Sequence, residues 1–200
     1  MSPRAGLDQS TILAAAALIA DEQGLEAVTL ALLAKKLNVR SPSLYNHIGG
    51  LQHLRAQLAV MGLRKLYDEL RRTDVDEAGM PLDDAVHTYC NVYVAFVRKH
   101  PGLYAAGVKA AAPDETELAE AGRKIVALTV RLLHPYGLDG DAALHAVRGL
   151  RSMLHGFATL EQAGGFGMSL NLDESLRSMV QLFLAGIRAS MSRSIHNEQQ

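Results

Sequence analysis

Apolar residues in this chain recur at three- and four-residue spacing from end to end. No run of Val, Ile, Thr and aromatic residues alternates for six positions. The pattern predicts an all-α protein of about nine helices. Asp8 and Ser10 supply N-cap chemistry for a first helix whose inner face is Ile12, Ala16 and Ile19, with Gly24 as its stop. A short second helix follows Thr29 as N-cap, with Leu30, Leu33, Ala34 and Leu37 inward and Asn38 ending it in the left-handed conformation. Ser41 reads as the next N-cap and Pro42 as the first helical residue, so Ser41 to His47 reads as about two helical turns. A long helix runs from Leu51 to about Arg71, with Leu51, Leu54, Leu58, Met61, Leu66 and Leu70 apolar. The polar segment Arg72 to Pro81 contains Gly and Pro and marks a boundary. Further helices are predicted over 82–100, stopped by Pro101, and from Asp114 and Glu115 to Pro135. Two more run from Asp141 to Gly164-Gly165 and from an Asp173 cap onward. The predicted organisation is a head of short helices over 1–50, a connecting helix over 51–72 and a helical body over 73–200.

The stretch Val39 to Leu51, "VRSPSLYNHIGGL", changes the picture from fold to function. A longer helix, a short helix, a three-residue turn and a second short helix form a helix-turn-helix, in which the last helix can enter a DNA major groove. Leu44 and Ile48, four apart, anchor it, with Val39 in the turn. Ser41, Pro42, Ser43, Tyr45, Asn46 and His47 are left to face outward. Hydroxyls and an amide can bond base edges, a phenol can reach a phosphate, and proline can touch a thymine methyl.

These residues resemble the tetracycline-repressor (TetR) family of bacterial transcription regulators. The match is carried by "GLEAVTL", by Leu33-Ala34-Lys35-Lys36-Leu37-Asn38-Val39 and by Leu44-Tyr45-Asn46-His47-Ile48-Gly49-Gly50-Leu51. The resemblance implies that the six outward residues lie at DNA, and that Thr29 and the start of the Leu51 helix meet phosphates through helix N-termini. Leu51 stands where many members carry a lysine, which leaves the backbone N–H groups of Gly49 and Gly50 for that contact. Ala31 and Leu32 leave the second helix without a cation in its first turn, so Lys35, Lys36 and Arg40 are the remaining local cations. So few cations predict a shallow salt dependence. In the body, Val92–Tyr104 and Met153–Gly164 resemble the C-terminal domain type named for a Trp-His-Gly signature, with Leu154 in place of the tryptophan. That likeness implies a homodimer enclosing a small-molecule pocket.

Candidate pocket residues are His87, Tyr89, Tyr93 and Phe96, at helical spacing in an amphipathic segment, together with Met153 and Phe157. Ordinary core packing explains the same spacing. Leu176, Met179, Val180, Phe183, Leu184 and Ile187 form a continuous apolar stripe, matched by Val147, Leu150 and Leu154 on the preceding helix. Two such helices from each of two subunits would make a four-helix dimer interface; alternatively the stripes close the subunit's own core.

Composition adds limits. Of 200 residues, 48% are hydrophobic and 20% charged, enough to bury a sizeable core. The net charge of −1 is uneven: residues 1–72 hold nine Lys/Arg against six Asp/Glu, and residues 73–200 eleven against fifteen. A basic head on an acidic body agrees with DNA at that end. A single cysteine, Cys90, excludes an intramolecular disulfide framework and fits a reducing compartment. The eight histidines form no metal-ligand pattern, and no nucleophile–base pair, phosphate loop or cofactor motif is present, so no enzyme, metal or cofactor is expected. With no membrane span or leader predicted, the expectation is a cytoplasmic bacterial protein, on the nucleoid when bound to DNA. The reading is a ligand-responsive regulator, a repressor released from a pseudo-palindromic double-stranded DNA operator by a small apolar molecule. Its alternative is an all-α small-molecule-binding protein or helical scaffold that does not bind DNA.

Overall fold

The computed structural model describes residues 7–73, 80–110 and 116–197. Among them are nine α-helices and no strand: α1 (Gln9–Gln23), α2 (Leu30–Leu37), α3 (Ser41–Tyr45), α4 (Leu51–Leu70), α5 (Leu82–Lys99), α6 (Pro101–Lys109), α7 (Glu117–Leu133), α8 (Gly140–Gln162) and α9 (Leu172–Asn197). The protein is all-α.

The helix ends follow local chemistry. Asp8 caps α1, its carboxylate accepting the N–H of Thr11 at 2.7 Å, and the Gly24 N–H closes the other end on the Ala20 carbonyl. The Thr29 hydroxyl accepts the Leu32 N–H at 3.2 Å, and Asn38 ends α2 at φ 55°, ψ 44°. Two expected caps and one expected helix start differ. The N-cap of α3 is Arg40, without a side-chain cap bond, and Ser41 already lies inside a helix of five residues. Asp139 precedes α8, and Asp141 falls in its first turn. At α9 the Asn171 carboxamide accepts the N–H groups of Asp173 and Glu174 at 2.9 and 3.1 Å, which displaces Asp173 from the cap role. Asp114 and Glu115, expected to open α7, lie outside the described residues, as does most of the expected boundary segment.

The chain forms two compact units: Met1–Leu66 with Lys99–Gly122, and Tyr67–Arg98 with Arg123–Gln200. In the first, Ile12, Ala16 and Ile19 of α1, Leu33 of α2, Leu44 of α3 and Leu54 and Leu58 of α4 share one core with Leu103 and Ala106 of α6. Each buried Leu or Ile contributes about 1.5–3 kcal/mol of transfer free energy. In the second unit, Tyr89, Cys90, Tyr93, Phe96 and Val97 of α5 are buried, as are Leu128 and Leu132 of α7. So are Leu150 and Leu154 of α8 and Val180 and Leu184 of α9. Burial pushes the Cys90 thiol up to about 12, as it does the Tyr89 phenol, which shares a 2.7 Å hydrogen bond with Thr129.

Helix α6 has no counterpart among the helices read individually from sequence. It is nine residues long, opens on Pro101 and lacks a capping side chain in the preceding residue. Its missing cap is supplied from a distance. One Asp21 carboxylate oxygen accepts the N–H groups of Gly102 and Leu103, both at 3.0 Å, while the other lies 2.8 Å from His100 Nδ1. Gly102 allows this approach, since a Cβ there would stand 2.1 Å from the carbonyl carbon and oxygen of Ala20.

Candidate nucleic-acid interface and helical body

Two anchors hold α3: Leu44 is fully buried and Ile48 is 5% exposed. They sit four residues apart, so the rest of the short helix turns outward. Tyr45 is 60% exposed, Pro42, Asn46 and His47 are exposed, and Ser41 and Ser43 are half-buried. The structure therefore brings together the six outward residues expected from sequence. The turn joining α2 to α3 is Asn38-Val39-Arg40, with the Val39 N–H bonded to the Ala34 carbonyl at 3.0 Å. After α3, the N–H groups of His47 and Ile48 both return to the Leu44 carbonyl. Gly50 then adopts φ 97°, a conformation costly for other residues, and its carbonyl accepts the Leu54 N–H to start α4.

Charge around this face is sparse. Arg40 and Lys35 are exposed. Lys36 lies 3.5 Å from Glu22, so its charge is partly met within the protein. Arg55 and Lys109 both pair with Glu26, at 3.1 and 3.0 Å. Such exposed pairs are each worth about 0–1 kcal/mol and yield readily to a phosphate. Thr29 caps α2 from an exposed position, so that helix end presents N–H groups and a hydroxyl together. The arrangement can dock a polyanion through backbone donors and read it through neutral hydroxyl, amide and phenol groups.

In the second unit, Tyr89, Tyr93, Phe96 and Phe157 are between 1 and 4% exposed and serve as core, with the Phe157 ring tilted against Phe166 at a centroid distance of 5.1 Å. Met153 is half-buried. His87, also half-buried, lines a groove of about 650 Å³ between α5 and α9. The stripe expected at a dimer interface is mostly spent inside the subunit. Val147, Leu150, Leu154, Leu176, Val180, Leu184 and Ile187 are 7% exposed or less before any partner is present, which leaves Met179 and Phe183 half-buried at the edge. The outer face beside them carries Leu182, 74% exposed. Leu182 lines an apolar groove of about 460 Å³ together with Ala142, His145, Ala146, Phe183 and Gly186. An i, i+3, i+4 stripe reports a buried face without saying which body buries it.

Sequence reading also missed the Asp21–His100–Gly102 contact. Its only signal was the "HPG" at residues 100–102, a proline-opened helix start with a glycine immediately inside.

Residues 86–183 match the family model described as the tetracyclin repressor-like C-terminal domain, a span that contains both body segments, Val92–Tyr104 and Met153–Gly164. The HTH-type transcriptional regulator YobS of Bacillus subtilis (strain 168) is 44% identical over 188 residues, covering 94% of this chain and 96% of its own. An HTH-type transcriptional regulator of Mycobacterium tuberculosis (strain H37Rv) is 32% identical, covering 92% of this chain and 83% of its own. Among solved structures, a Rhodococcus sp. RHA1 protein superposes with a TM-score of 0.77 at 25% identity, over 93% of this chain and 98% of its own. Two more distant structures share the fold. A single-residue variant of TetR from Acinetobacter baumannii AYE, solved with minocycline, has a TM-score of 0.68 at 19% identity over 92% of this chain and 98% of its own. BioQ, solved with its double-stranded DNA operator, has a TM-score of 0.65 at 21% identity over 92% and 99%. With its helix-turn-helix head, its helical body and these relatives along nearly its whole length, the chain belongs to the TetR family of helix-turn-helix transcriptional regulators.

Proposed function

We propose that the protein is a homodimeric, ligand-responsive repressor that binds a pseudo-palindromic DNA operator. One observation carries the reading: a five-residue helix and the turn after it, held by the buried Leu44 and Ile48, expose proline, tyrosine, asparagine and histidine directly after a turn ending in an arginine. In each subunit α3 enters a major groove, Ser43 and Asn46 read base edges, and Tyr45 and Arg40 hold phosphates. Thr29 at the start of α2 and the Gly49-Gly50 N–H groups before α4 add backbone donors. The DNA complex of BioQ and the minocycline complex of the Acinetobacter TetR variant make both kinds of partner familiar for this fold.

The dimer forms through the outer face of α8 and α9. Leu182 and Phe183 supply apolar area, and Ala146, Gly149 and Gly186 permit close helix approach. A ligand in the body acts through α6. The chain passes from α5 to α6 through His100 alone, and Asp21 ties the start of α6 to α1. A ligand shifts the equilibrium only by its differential affinity for the two states, so the coupling depends on this tie staying intact. The regulator works in the cytoplasm; no helix among the described residues is long and apolar enough to cross a membrane.

Selection of bound fragments from genomic DNA tests the reading. The expected result is one recurring pseudo-palindrome with half-sites about 34–36 Å, or a multiple of that, apart. Recovery of fragments with no common sequence would refute it.

A further inference from the structure

Glu26 divides one carboxylate between two helices. Its Oε1 accepts from Lys109 Nζ at the end of α6 at 3.0 Å, and its Oε2 accepts from the Arg55 guanidinium of α4 at 3.1 Å. Lys109, and after it Arg55, hold the carboxyl below the usual carboxylate range, so Glu26 is ionised at neutral pH. The side chains of Lys109 and Glu26 are 61% and 69% exposed, whereas that of Arg55 is 25% exposed. The Arg55 Nε–H is buried and meets no acceptor among the described residues. A buried donor without a partner costs stability, and an apolar side chain of similar length would fill the same space without that cost. The pair with Glu26 is too exposed to offset it. The stability of the fold therefore does not explain Arg55, and a local cost of this kind points to a functional demand.

The position of Arg55 indicates which demand. It follows the first residue of α4 by one helical turn, about 6 Å of rise. Glu26 precedes Thr29, the exposed cap of α2, by at most about 11 Å of extended chain. A guanidinium 3.1 Å from Glu26 thus lies close to both helix N-termini that the DNA-binding reading gives to phosphates. Its fork of donors suits a phosphate, which can accept from it in bidentate fashion, better than the single oxygen Glu26 offers. The same pattern recurs nearby, where Glu22 of α1 stands 3.5 Å from Lys36 of α2.

We infer that Glu26 is a gate on DNA binding: it holds Arg55 in the free protein, and a backbone phosphate of the duplex displaces it and takes the guanidinium. This role rests on the DNA-binding reading above. Every duplex must break the pair before Arg55 engages, so the carboxylate lowers affinity for all sequences and leaves the neutral residues of α3 to choose among them. The test is titration of the selected operator and an unrelated duplex, between about 50 and 200 mM salt. It compares the native chain, Glu26→Gln, Arg55→Gln and the double variant, each checked for unchanged circular dichroism. Glu26→Gln should tighten binding to both duplexes about five- to tenfold, but by no more than about twofold in the Arg55→Gln background. Arg55→Gln should lower the salt slope by about one, and Arg55→Lys, which keeps the charge, should restore it. If Arg55→Gln does not fold, Arg55→Met, which fills the same space without charge, takes its place in the cycle. An equal gain from Glu26→Gln in both backgrounds would report only a removed negative charge and overturn the gate, as would an unchanged salt slope in Arg55→Gln. A native chain that binds neither duplex removes the DNA-binding reading and the gate with it, whereas native binding with equal gains removes the gate alone.

Discussion

Asp21 serves α6 through a single carboxylate, accepting from two of its N–H groups while pairing with His100. Asp21→Ala should therefore destabilise the protein by about 1–3 kcal/mol, read as a lower urea midpoint at unchanged slope. Gly102→Ala should cost at least as much, because its new methyl would collide with rigid Ala20 backbone, forcing α1 and α6 apart. Cys90 makes a chemical prediction of the same kind. With its thiol pushed up to about 12, almost none is thiolate at about pH 8, so a thiol reagent should react with it only after denaturant is added. Rapid modification of the native protein would contradict that burial. The Asp21 contact was not legible in the sequence, since the partners lie about 80 positions apart and the "HPG" at residues 100–102 marks a helix start without indicating which side chain caps it.

At the scale of elements, local signals served where both partners of an interaction lie within one turn. Asp8, Gly24, Thr29 and Asn38 each end a helix by the chemistry their position predicts. They failed at α3, where Arg40 occupies the cap position that Ser41 was expected to fill. Arginine is a poor N-cap, and a local rule broken at a surface helix points to a functional demand. Arg40→Ser should raise stability by up to about 1 kcal/mol in thermal denaturation while weakening DNA binding and lowering its salt slope by about one. Stability and affinity falling together would place Arg40 in a structural role instead. Within α3, Tyr45→Ala should weaken binding to all duplexes alike, whereas Ser43→Ala should change the preferred sequence.

For the whole molecule, the family and the all-α class could be read from the helix-turn-helix pattern, but the allocation of apolar faces could not. Val147, Leu150, Val180 and Leu184 obey the same periodicity whether they face their own subunit or a partner, and only the packed chain shows them buried within it. The proposed dimer seam accordingly moves to Leu182 and its neighbours. Leu182→Glu should leave the fold intact, yield a monomer in sedimentation velocity and lose operator binding. The central claim, that α3 reads a specific DNA sequence, is tested most directly by titrating the selected operator and an unrelated duplex between about 50 and 200 mM salt with the native protein and Asn46→Ala. The account predicts salt-dependent binding of both duplexes. It also predicts a loss of about 1–3 kcal/mol in Asn46→Ala that is confined to the operator. No retention of either duplex at about 50 mM salt, or equal operator affinity in the two proteins, would contradict it.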